Sequence, residues 1–286
     1  MIEAYMRDMG PIVANGKTKG FFESKKDPFT AYAQSKDIVT WGDQYSLQMP
    51  GKGEWSTTVN HNMFEIFRKA GLPIAYLGRA GKRTFTSELC DMFPYEVVAC
   101  CIVDGKSSYR KRHPELPAGT MFTEPAIQFH LKTSGRQYRG RELPCDDPLM
   151  VFGPKEVKIY LPSKPIAAQE PIFTVPNSEA PEMFPGFENI AEITLLTRHA
   201  ARLVRKIFER KGGEFSDGKW EYGRARRPSL SGKTLVADVF DADSMRATVD
   251  GQRIDKQPIR NGGKEAAPEQ IAAYLRAVEF TNSLVQ

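Results

Sequence analysis

A glycine followed by two lysines stands in what we predict to be the first hairpin of the chain. Gly16, Lys17 and Lys19 lie between two short runs, residues 12–14 and 20–23, whose composition predicts strands. Glycine lets a backbone approach a phosphate closely, and the lysines add positive charge. An exposed hairpin tip that carries lysines is the more common origin of such a segment, and the pattern is not that of a P-loop.

A second glycine–lysine segment, Gly51-Lys52-Gly53, comes directly before a predicted helix that ends at Gly71. Backbone amides at a helix N-terminus bind anions, and a lysine there strengthens the attraction. The alternative is an ordinary turn, followed by a helix that is capped by Ser56 or Thr57. Taken alone, this alternative is the more common of the two.

Two carboxylates, Glu221 and Asp238, fall on successive predicted strands, residues 219–223 and 235–240. If these strands pair in antiparallel fashion, both side chains can meet on one face. Hard oxygen ligands in that arrangement suit Mg²⁺ that is held jointly with nucleotide phosphates. The alternative is a pair of carboxylates that face solvent on an amphipathic hairpin.

A dense group of charged and polar residues follows these strands. Its members are Asp241, Asp243, Ser244, Arg246, Asp255, Lys256 and Arg260. Mixed charges at this density usually indicate a solvated loop. The three basic members, Arg246, Lys256 and Arg260, could equally clamp a phosphate.

The elements that must position these residues are mostly strands. Apolar spacing predicts long helices over residues 189–211 and 268–284. Because strands dominate, with helices inserted and one at the end, we favour an α+β fold over a doubly wound sheet. Residues 153–186 are proline-rich with little periodicity, which predicts an irregular excursion or an inserted loop. A shift in composition indicates two domains, residues 1–114 and 115–286.

Charge and composition narrow the class of protein. The net charge of +5 at pH 7 is compatible with an anionic substrate or with simple solubility charge. No helix carries a basic face interleaved with stacking aromatics, and no apolar run approaches the roughly 20 residues that span a bilayer, so we expect neither a nucleic-acid nor a membrane partner. The four cysteines show no disulfide or metal spacing, which fits a reducing cytoplasm.

The order of the short segments along the chain resembles that of the SAICAR synthetase family. The segments run from about Asn15 to the C-terminal helix, and no single one is decisive. They are Gly16-Lys17-Thr18-Lys19, residues 35–40, Gly51-Lys52-Gly53, residues 90–98, Lys111-Arg112, Asp147-Pro148, residues 217–223, residues 235–246 and residues 255–260. Several short matches in the right order make coincidence improbable.

This resemblance implies a two-lobed α+β fold with an N-terminal ATP-binding lobe and a larger C-terminal lobe. The family fold is related to ATP-grasp and kinase-like folds, and ATP lies in the cleft between the lobes. The implied reaction uses ATP and Mg²⁺ to join aspartate to the carboxylate of the ribotide CAIR through an acyl phosphate. Such chemistry depends mainly on positioning and charge neutralisation. The family often forms homo-oligomers, and the resemblance leaves that option open.

The resemblance also assigns expected roles by position. The expected ATP contacts are Gly16, Lys17, Lys19, Leu89, Met92 and Glu221. The expected Mg²⁺ ligands are Glu221 and Asp238, and the expected catalytic residues are Lys219, Asp238 and Lys256. The expected substrate contacts are Lys52, Gly53, Lys106, Asp147, Ser244, Arg246 and Arg260.

Several segments depart from the family pattern, among them residues 100–106 and 133–145. Residues 100–106 stand where the family has arginine and a phosphate-binding serine, and an aspartate, Asp104, occurs there instead. Residues 133–145 look like an insertion. The departures keep open a diverged ligase that activates another acid. A nucleotide-binding protein without ligase activity is a third hypothesis, against which the retention of Glu221 and Asp238 argues.

Overall fold

The computed structural model describes residues 4–42 and 44–286. Its helices are α1 (Ala4–Asp8), α2 (Lys52–Lys69), α3 (Ser108–Arg112), α4 (Ala180–Met183), α5 (Ile190–Glu209), α6 (Gln257–Gly262) and α7 (Ala267–Val285). Its strands are β1 (Met9–Asn15), β2 (Lys19–Ser24), β3 (Thr30–Ser35), β4 (Ile38–Trp41), β5 (Tyr45–Gln48), β6 (Tyr76–Gly81), β7 (Thr84–Glu88), β8 (Cys90–Ile102), β9 (Met121–Leu131), β10 (Gln137–Tyr138), β11 (Arg141–Glu142), β12 (Leu149–Phe152), β13 (Glu156–Tyr160), β14 (Phe173–Pro176), β15 (Gly213–Ala225), β16 (Thr234–Ala237), β17 (Met245–Val249) and β18 (Gln252–Arg253).

The chain forms two compact units, each built from separate stretches of sequence. The first unit contains Met1–Asp91, Glu209–Glu214 and Gly223–Gln286, and the second contains Met92–Phe208 and Phe215–Tyr222. The expected boundary at residue 114 therefore falls inside the second unit. The division into residues 1–114 and 115–286 stays a prediction about functional lobes, and it does not coincide with these packing units.

The first unit is organised around an antiparallel sheet in the order β1-β2-β3-β7-β6. Helix α2 lies against β3, β6 and β7 and also packs along α7. Aromatic side chains fill the core of this unit, because large apolar rings contribute most burial per residue. They are Phe64, Phe67, Tyr76, Phe85 and Phe240.

The second unit is organised around a sheet in the order β14-β13-β12-β9-β8-β15, in which the pairs from β14 to β8 are antiparallel. Helix α5 packs on β15, where Phe208 contacts Phe215 with a centroid separation of 5.8 Å and Thr197 Oγ1 lies 2.7 Å from the Tyr222 hydroxyl. The central strands β8 and β15 carry the charged residues described below, so the sheet fixes their spacing.

The structure confirms the two long predicted helices to within two residues, as α5 and α7. It also confirms the first hairpin, in which Asn15 pairs with Gly20 across the turn. Helices inserted among antiparallel strands confirm the α+β prediction. None of the helices in residues 4–42 and 44–286 is long and apolar enough to cross a bilayer.

Two local predictions are wrong. Helix α2 begins at Lys52 after Gly51, whose φ of 90° is left-handed, and neither Ser56 nor Thr57 caps it. Both hydroxyls serve tertiary contacts instead, Ser56 with Asp241 and Thr57 with Ser35.

The second error concerns residues 153–186, which contain β13 and β14 rather than only irregular chain. Val157 and Ile159 alternate into the core at 0% exposure, a strand signal that the flanking prolines obscured.

Candidate active site

Glu221 lies at the centre of a charged cluster on the central strands of the second unit. The Lys219 ammonium donates to Glu221 Oε1 at 2.9 Å, and it also donates to Glu96 Oε1 at 2.9 Å. Lys132, which follows β9, donates to Glu221 Oε2. The four residues form a chain of alternating charge, Glu96–Lys219–Glu221–Lys132, across β8, β9 and β15.

The lysines keep Glu221 ionised although it is only 5% exposed. Burial alone would raise the pKa of Glu221, but the ammonium groups of Lys219 and Lys132 outweigh it and lower the pKa to about 2. A buried carboxylate of this kind can accept additional charge-assisted contacts, because each oxygen has two lone pairs.

Asp147 lies beside this cluster, and its pKa is shifted in the direction opposite to that of Glu221. Burial, and then the carboxylate of Glu96, raise the pKa of Asp147 to about 6. The Thr133 N–H donates to Asp147 Oδ1 at 3.3 Å, and the Asp147 N–H donates to Thr133 Oγ1 at 3.2 Å. Its φ of 46° is left-handed, a conformation that aspartate tolerates better than most residues do.

In the first unit, the structure brings together one expected phosphate ligand and one expected metal ligand. Asp238 follows β16 directly, with a left-handed φ of 55°. Asp238 Oδ1 lies 3.7 Å from Lys19 Nζ at the start of β2. The two side chains are partly accessible, 13% for Lys19 and 21% for Asp238.

The hairpin turn between β1 and β2 is held by a lysine that sequence reasoning did not single out. Lys36 Nζ donates to Asn15 Oδ1 at 2.6 Å and to the Gly16 carbonyl at 2.8 Å. Lys17 is exposed on the same turn. A Cβ on Gly16 would meet the Lys19 carbonyl at 3.4 Å, an ordinary contact, so the protein backbone itself does not require glycine there.

The Gly51-Lys52-Gly53 turn is tied to a buried ion-pair network of the first unit. Lys52, only 3% exposed, places Nζ 3.0 Å from Asp243 Oδ2. Lys256 Nζ lies 3.7 Å from the same oxygen, and the Tyr274 hydroxyl donates to Asp243 Oδ1 at 2.5 Å. The Gly53 N–H donates to Asp37 Oδ1 at 2.8 Å, so this amide already has a protein acceptor.

The two lysines respond differently to the shared carboxylate. Burial lowers the pKa of Lys256, whereas for Lys52 the attraction of Asp243 and Asp241 exceeds the effect of burial and raises the pKa. Lys52 lies closer to Asp243, and the like charges of Arg260 and Lys52 further lower the pKa of Lys256. Burial opposes ionisation of Asp243 as well, yet Lys256 and Lys52 together hold its pKa well below the usual range.

The remaining members of the dense charged segment divide into buried and accessible residues. Asp241, Ser244 and Asp255 are 2%, 6% and 0% exposed, so the solvated-loop interpretation is wrong for them. Asp255 accepts from the backbone of Ala247 at 2.8 Å and fixes the local turn. Ser244 Oγ lies 3.3 Å from Asp241 Oδ1.

The other expected substrate contacts are more open to solvent. Arg246 is half-buried, with Nε 3.3 Å from Gln257 Oε1, and Arg260 is exposed. Lys106 is also exposed, and its N–H donates to Asp104 Oδ1 at 2.8 Å. Asp104 thus shapes the turn before α3.

The segment expected to line an adenine pocket is partly committed to protein contacts. The Leu89 N–H donates to the Phe29 carbonyl at 2.7 Å, and the Leu89 carbonyl accepts from the Arg226 N–H at 3.0 Å. Leu89 therefore retains one carbonyl lone pair, and no donor, for an adenine ring. Met92, in the second unit, is 44% exposed.

The two expected metal ligands lie in different units, Glu221 in the second and Asp238 in the first. Within residues 4–42 and 44–286, no group of three or more histidine, cysteine or acidic side chains could hold a metal ion. Mg²⁺ at nucleotide sites usually binds one or two carboxylates together with substrate phosphates. A carboxylate of this kind fits an ion that phosphates help to hold, and the described residues offer no metal cage made by protein alone.

Comparisons of this chain with known proteins, by family model and by sequence, agree with the family resemblance. The SAICAR synthetase family model matches residues 12–137. A phosphoribosylaminoimidazole-succinocarboxamide synthase of Herpetosiphon aurantiacus is 29% identical over 284 residues, which cover 96% of this chain and 98% of the relative. The chain is similar to the SAICAR synthetase family over nearly its whole length.

Other members of the SAICAR synthetase family extend the similarity. The synthase of Chloroflexus aurantiacus is 29% identical over 277 residues, 94% of this chain and 93% of its own. A solved SAICAR synthetase (Type-2) in complex with ADP superposes with a TM-score of 0.70 at 21% identity, and covers 96% of this chain and 98% of its own. The latter similarity shows that this chain has the SAICAR synthetase fold.

Within this SAICAR synthetase fold, sequence reasoning missed further residues besides Lys36. Glu96 is the second carboxylate that Lys219 contacts, and Tyr274 contacts Asp243 from the last helix. Because side chains alternate between the two faces of a strand, the patterns of β8 and β15 could have indicated that Glu96, Lys219 and Glu221 share one face of the sheet. No local pattern indicated Tyr274, which lies far from Asp243 in sequence.

Proposed function

We propose that this chain is an ATP-dependent ligase that joins aspartate to the carboxylate of CAIR and produces SAICAR, ADP and phosphate. The observation that supports it most directly is the ionised, buried Glu221 between Lys219 and Lys132, in a chain whose full-length relatives are named as synthases of this product.

The chemistry needs an activated carboxylate, because a carboxylate does not react with an amine at neutral pH. A carboxylate oxygen of the ribotide attacks the γ-phosphorus of ATP, the bond to ADP breaks, and an acyl phosphate forms. The aspartate amine then attacks the acyl carbon, phosphate leaves, and the amine gives up a proton. Each step brings like charges together, so neutralisation and positioning provide most of the catalysis.

On the nucleotide side, we assign Lys17 and Lys19 to the ATP phosphates, with Gly16 in the same turn. Lys219 would neutralise charge on the transferred phosphoryl group, because its ammonium is already oriented by Glu96 and Glu221. Leu89 and Met92 would border the adenine ring. Carboxylate oxygens of Glu221 and Asp238 would hold Mg²⁺, which when bound neutralises charge on the phosphates.

On the acceptor side, we assign the anion contacts to accessible basic groups. Lys106, Arg246 and Arg260 are the accessible cations among the expected substrate residues, and Ser244 and Asp147 could supply polar contacts. The network around Asp243 positions the turn, and Lys52, Gly53 and Lys256 would act through this network. They would contact the substrate directly only where a substrate acid replaces Asp243.

A second candidate is a ligase of the same fold that activates a different acid. It is favoured by Asp104 beside Lys106 and by a family match that ends at Gln137, inside the β10–β11 hairpin. A nucleotide-binding protein without ligase activity is the third hypothesis. We further propose a cytoplasmic location, and a homo-oligomer remains compatible with the family.

Purified protein supplied with ATP, Mg²⁺, aspartate and CAIR separates these candidates. ADP release that requires both CAIR and aspartate, with SAICAR identified as product, supports the first. ADP release that requires another acid supports the second. ATP binding without turnover for any acceptor contradicts both ligase proposals.

A further inference from the structure

A short hairpin in the second unit concentrates arginines in a constrained backbone. It comprises β10 and β11, and it carries Arg136, Arg139 and Arg141. No acidic residue interrupts residues 132–141, which also include Lys132. Arg136 and Arg139 have φ values of 62° and 46°, a left-handed conformation that glycine or asparagine would adopt at lower cost.

The base of this hairpin is bonded to the charged cluster around Glu221 and Asp147. The Arg136 N–H donates to Asp146 Oδ1 at 2.6 Å, and the Thr133 hydroxyl donates to the same oxygen at 2.7 Å. Thr133 also bonds Asp147 through its backbone and side chain. The residue before it, Lys132, contacts Glu221.

The far side of the hairpin is anchored as well. The Tyr138 hydroxyl donates to the Met183 carbonyl at 2.7 Å, and its ring stacks on Phe184 at 6.0 Å. Arg141 covers the ring of Phe173 with its guanidinium 4.5 Å from the centroid. The hairpin is therefore held by contacts at its base and along its strands, and the remaining two arginines lie directly before and after β10.

These two arginines do not stabilise the hairpin through ion pairs. Arg136 and Arg139 are exposed, and across residues 4–42 and 44–286 neither forms an ion pair with a carboxylate. Arg139 lies within hydrogen-bonding reach of Tyr138, whose hydroxyl already donates elsewhere. Two exposed guanidinium groups without a carboxylate partner, on a hairpin whose base is bonded to the cluster, are suited to receive an anion, because their forked donors match carboxylate and phosphate geometry.

We propose that Arg136 and Arg139 bind an anionic group, phosphate or carboxylate, of one of the two substrates that the enzyme joins. The hairpin is then a specificity element of the site. This inference rests on the proposed function for its substrates, and it deepens that function by assigning an acceptor-side contact to residues outside the expected set.

The test measures steady-state kinetics of the wild-type chain and the Arg136→Ala/Arg139→Ala variant, with ATP, CAIR and aspartate varied in turn. We expect the KM of one joined substrate to rise about tenfold or more, as loss of charge-assisted hydrogen bonds implies. The KM of ATP should not change. A rise for CAIR identifies the anion as a group of the ribotide, and a rise for aspartate identifies a carboxylate. Unchanged KM values for both, or a change for ATP alone, would overturn the proposal.

Three further variants separate binding from folding. Arg136→Gly/Arg139→Gly should preserve or raise the melting temperature, because glycine adopts positive φ freely, yet raise KM as the alanine variant does. Arg136→Lys/Arg139→Lys should give an intermediate KM, because charge remains while the forked geometry is lost. As a charge-matched control, Arg202→Ala/Arg210→Ala removes two exposed arginines, one within α5 and one directly after it, and should leave every KM unchanged.

A failure of the proposed function is distinguishable from a failure of this inference. If the wild-type chain does not turn over CAIR and aspartate, calorimetric titration with ribose 5-phosphate and with aspartate tests the hairpin directly. Binding of either probe by the wild type that is weakened in the alanine variant supports the inference. Equal binding by both proteins, or no binding by the wild type, overturns it.

Discussion

Lys52 and Asp243 form an ion pair with Nζ and Oδ2 3.0 Å apart, although Lys52 is only 3% exposed. The pair joins the first residue of α2 to the segment that follows β16, and Lys256 and Tyr274 complete it. Lys52, which was predicted from the sequence to contact substrate, is thus part of an internal ion-pair network. Any substrate acid that reached Lys52 would have to compete with Asp243.

Removing Asp243 should destabilise the chain strongly. Asp243→Asn leaves the ammonium groups of Lys52 and Lys256 buried without a counter-charge, and breaking a buried pair in this way costs about 3–5 kcal/mol. Urea denaturation of the variant should show a midpoint far below that of the wild type. Tyr274→Phe, which deletes one hydrogen bond and no charge, should cost about 1 kcal/mol. Equal effects of the two substitutions would contradict this account.

Asp238→Asn should abolish ligase turnover while the fold is retained. Asparagine accepts the left-handed conformation of Asp238, so the backbone has no reason to change. On the proposed metal assignment, loss of this negative charge should lower kcat by about 100-fold or more. Asp250, exposed and also left-handed at φ 49°, provides the matched control, and Asp250→Asn should leave kcat unchanged. Undiminished kcat in Asp238→Asn would remove the metal assignment.

The raised pKa of Asp147 predicts a specific dependence of stability on pH. The folded chain holds this proton to a pKa of about 6, against 3.8 for the ordinary group. The folded state binds the proton more tightly than the unfolded state, so the contribution of Asp147 to the free energy of unfolding falls as pH rises from about 4 to about 6.

Asp147→Asn should remove that dependence. The stability of the wild type relative to the variant should decrease across this pH window and stay constant above it. Urea denaturation of both proteins at several pH values measures the difference. A difference that does not vary with pH would show that Asp147 titrates normally.

Gly53 should not tolerate a side chain. A Cβ at this position would lie 2.8 Å from the Ser35 carbonyl oxygen, a backbone atom that cannot move away cheaply. Gly53→Ala should therefore lower stability by about 1–3 kcal/mol, as overpacking does. At Gly78 on β6 nothing lies within 4 Å of the corresponding position, so Gly78→Ala should change the melting temperature little. Equal melting temperatures for the two variants would contradict the steric argument.

The sequence predicted best those elements whose signals are long and local. Helices α5 and α7 follow from apolar spacing over five turns, and the first hairpin follows from Asn15 and Gly16. The start of α2 was misjudged because Ser56 and Thr57 bond to residues distant in sequence, and this competition leaves no trace in the local pattern.

The sequence predicted which residues belong to the candidate site, but it did not predict which of them contact one another. Glu221 and Lys219 were expected on the grounds of family resemblance, but Lys132 reaches Glu221 across a separation of 89 residues and Glu96 reaches Lys219 across 123. Pairings of this kind depend on strand order in the sheet. The strand order β9-β8-β15 could not be derived from periodicity alone.

Strand β15 is divided between the two units, and this limits how the protein can be cut into fragments. Its middle, Phe215–Tyr222, belongs to the second unit, while Gly213 and Glu214 before it and Gly223 onward belong to the first. No continuous fragment of the polypeptide therefore contains one complete unit without part of the other. Truncation after residue 91 or 114 would yield pieces with unfinished cores, so each half has to be studied inside the intact chain.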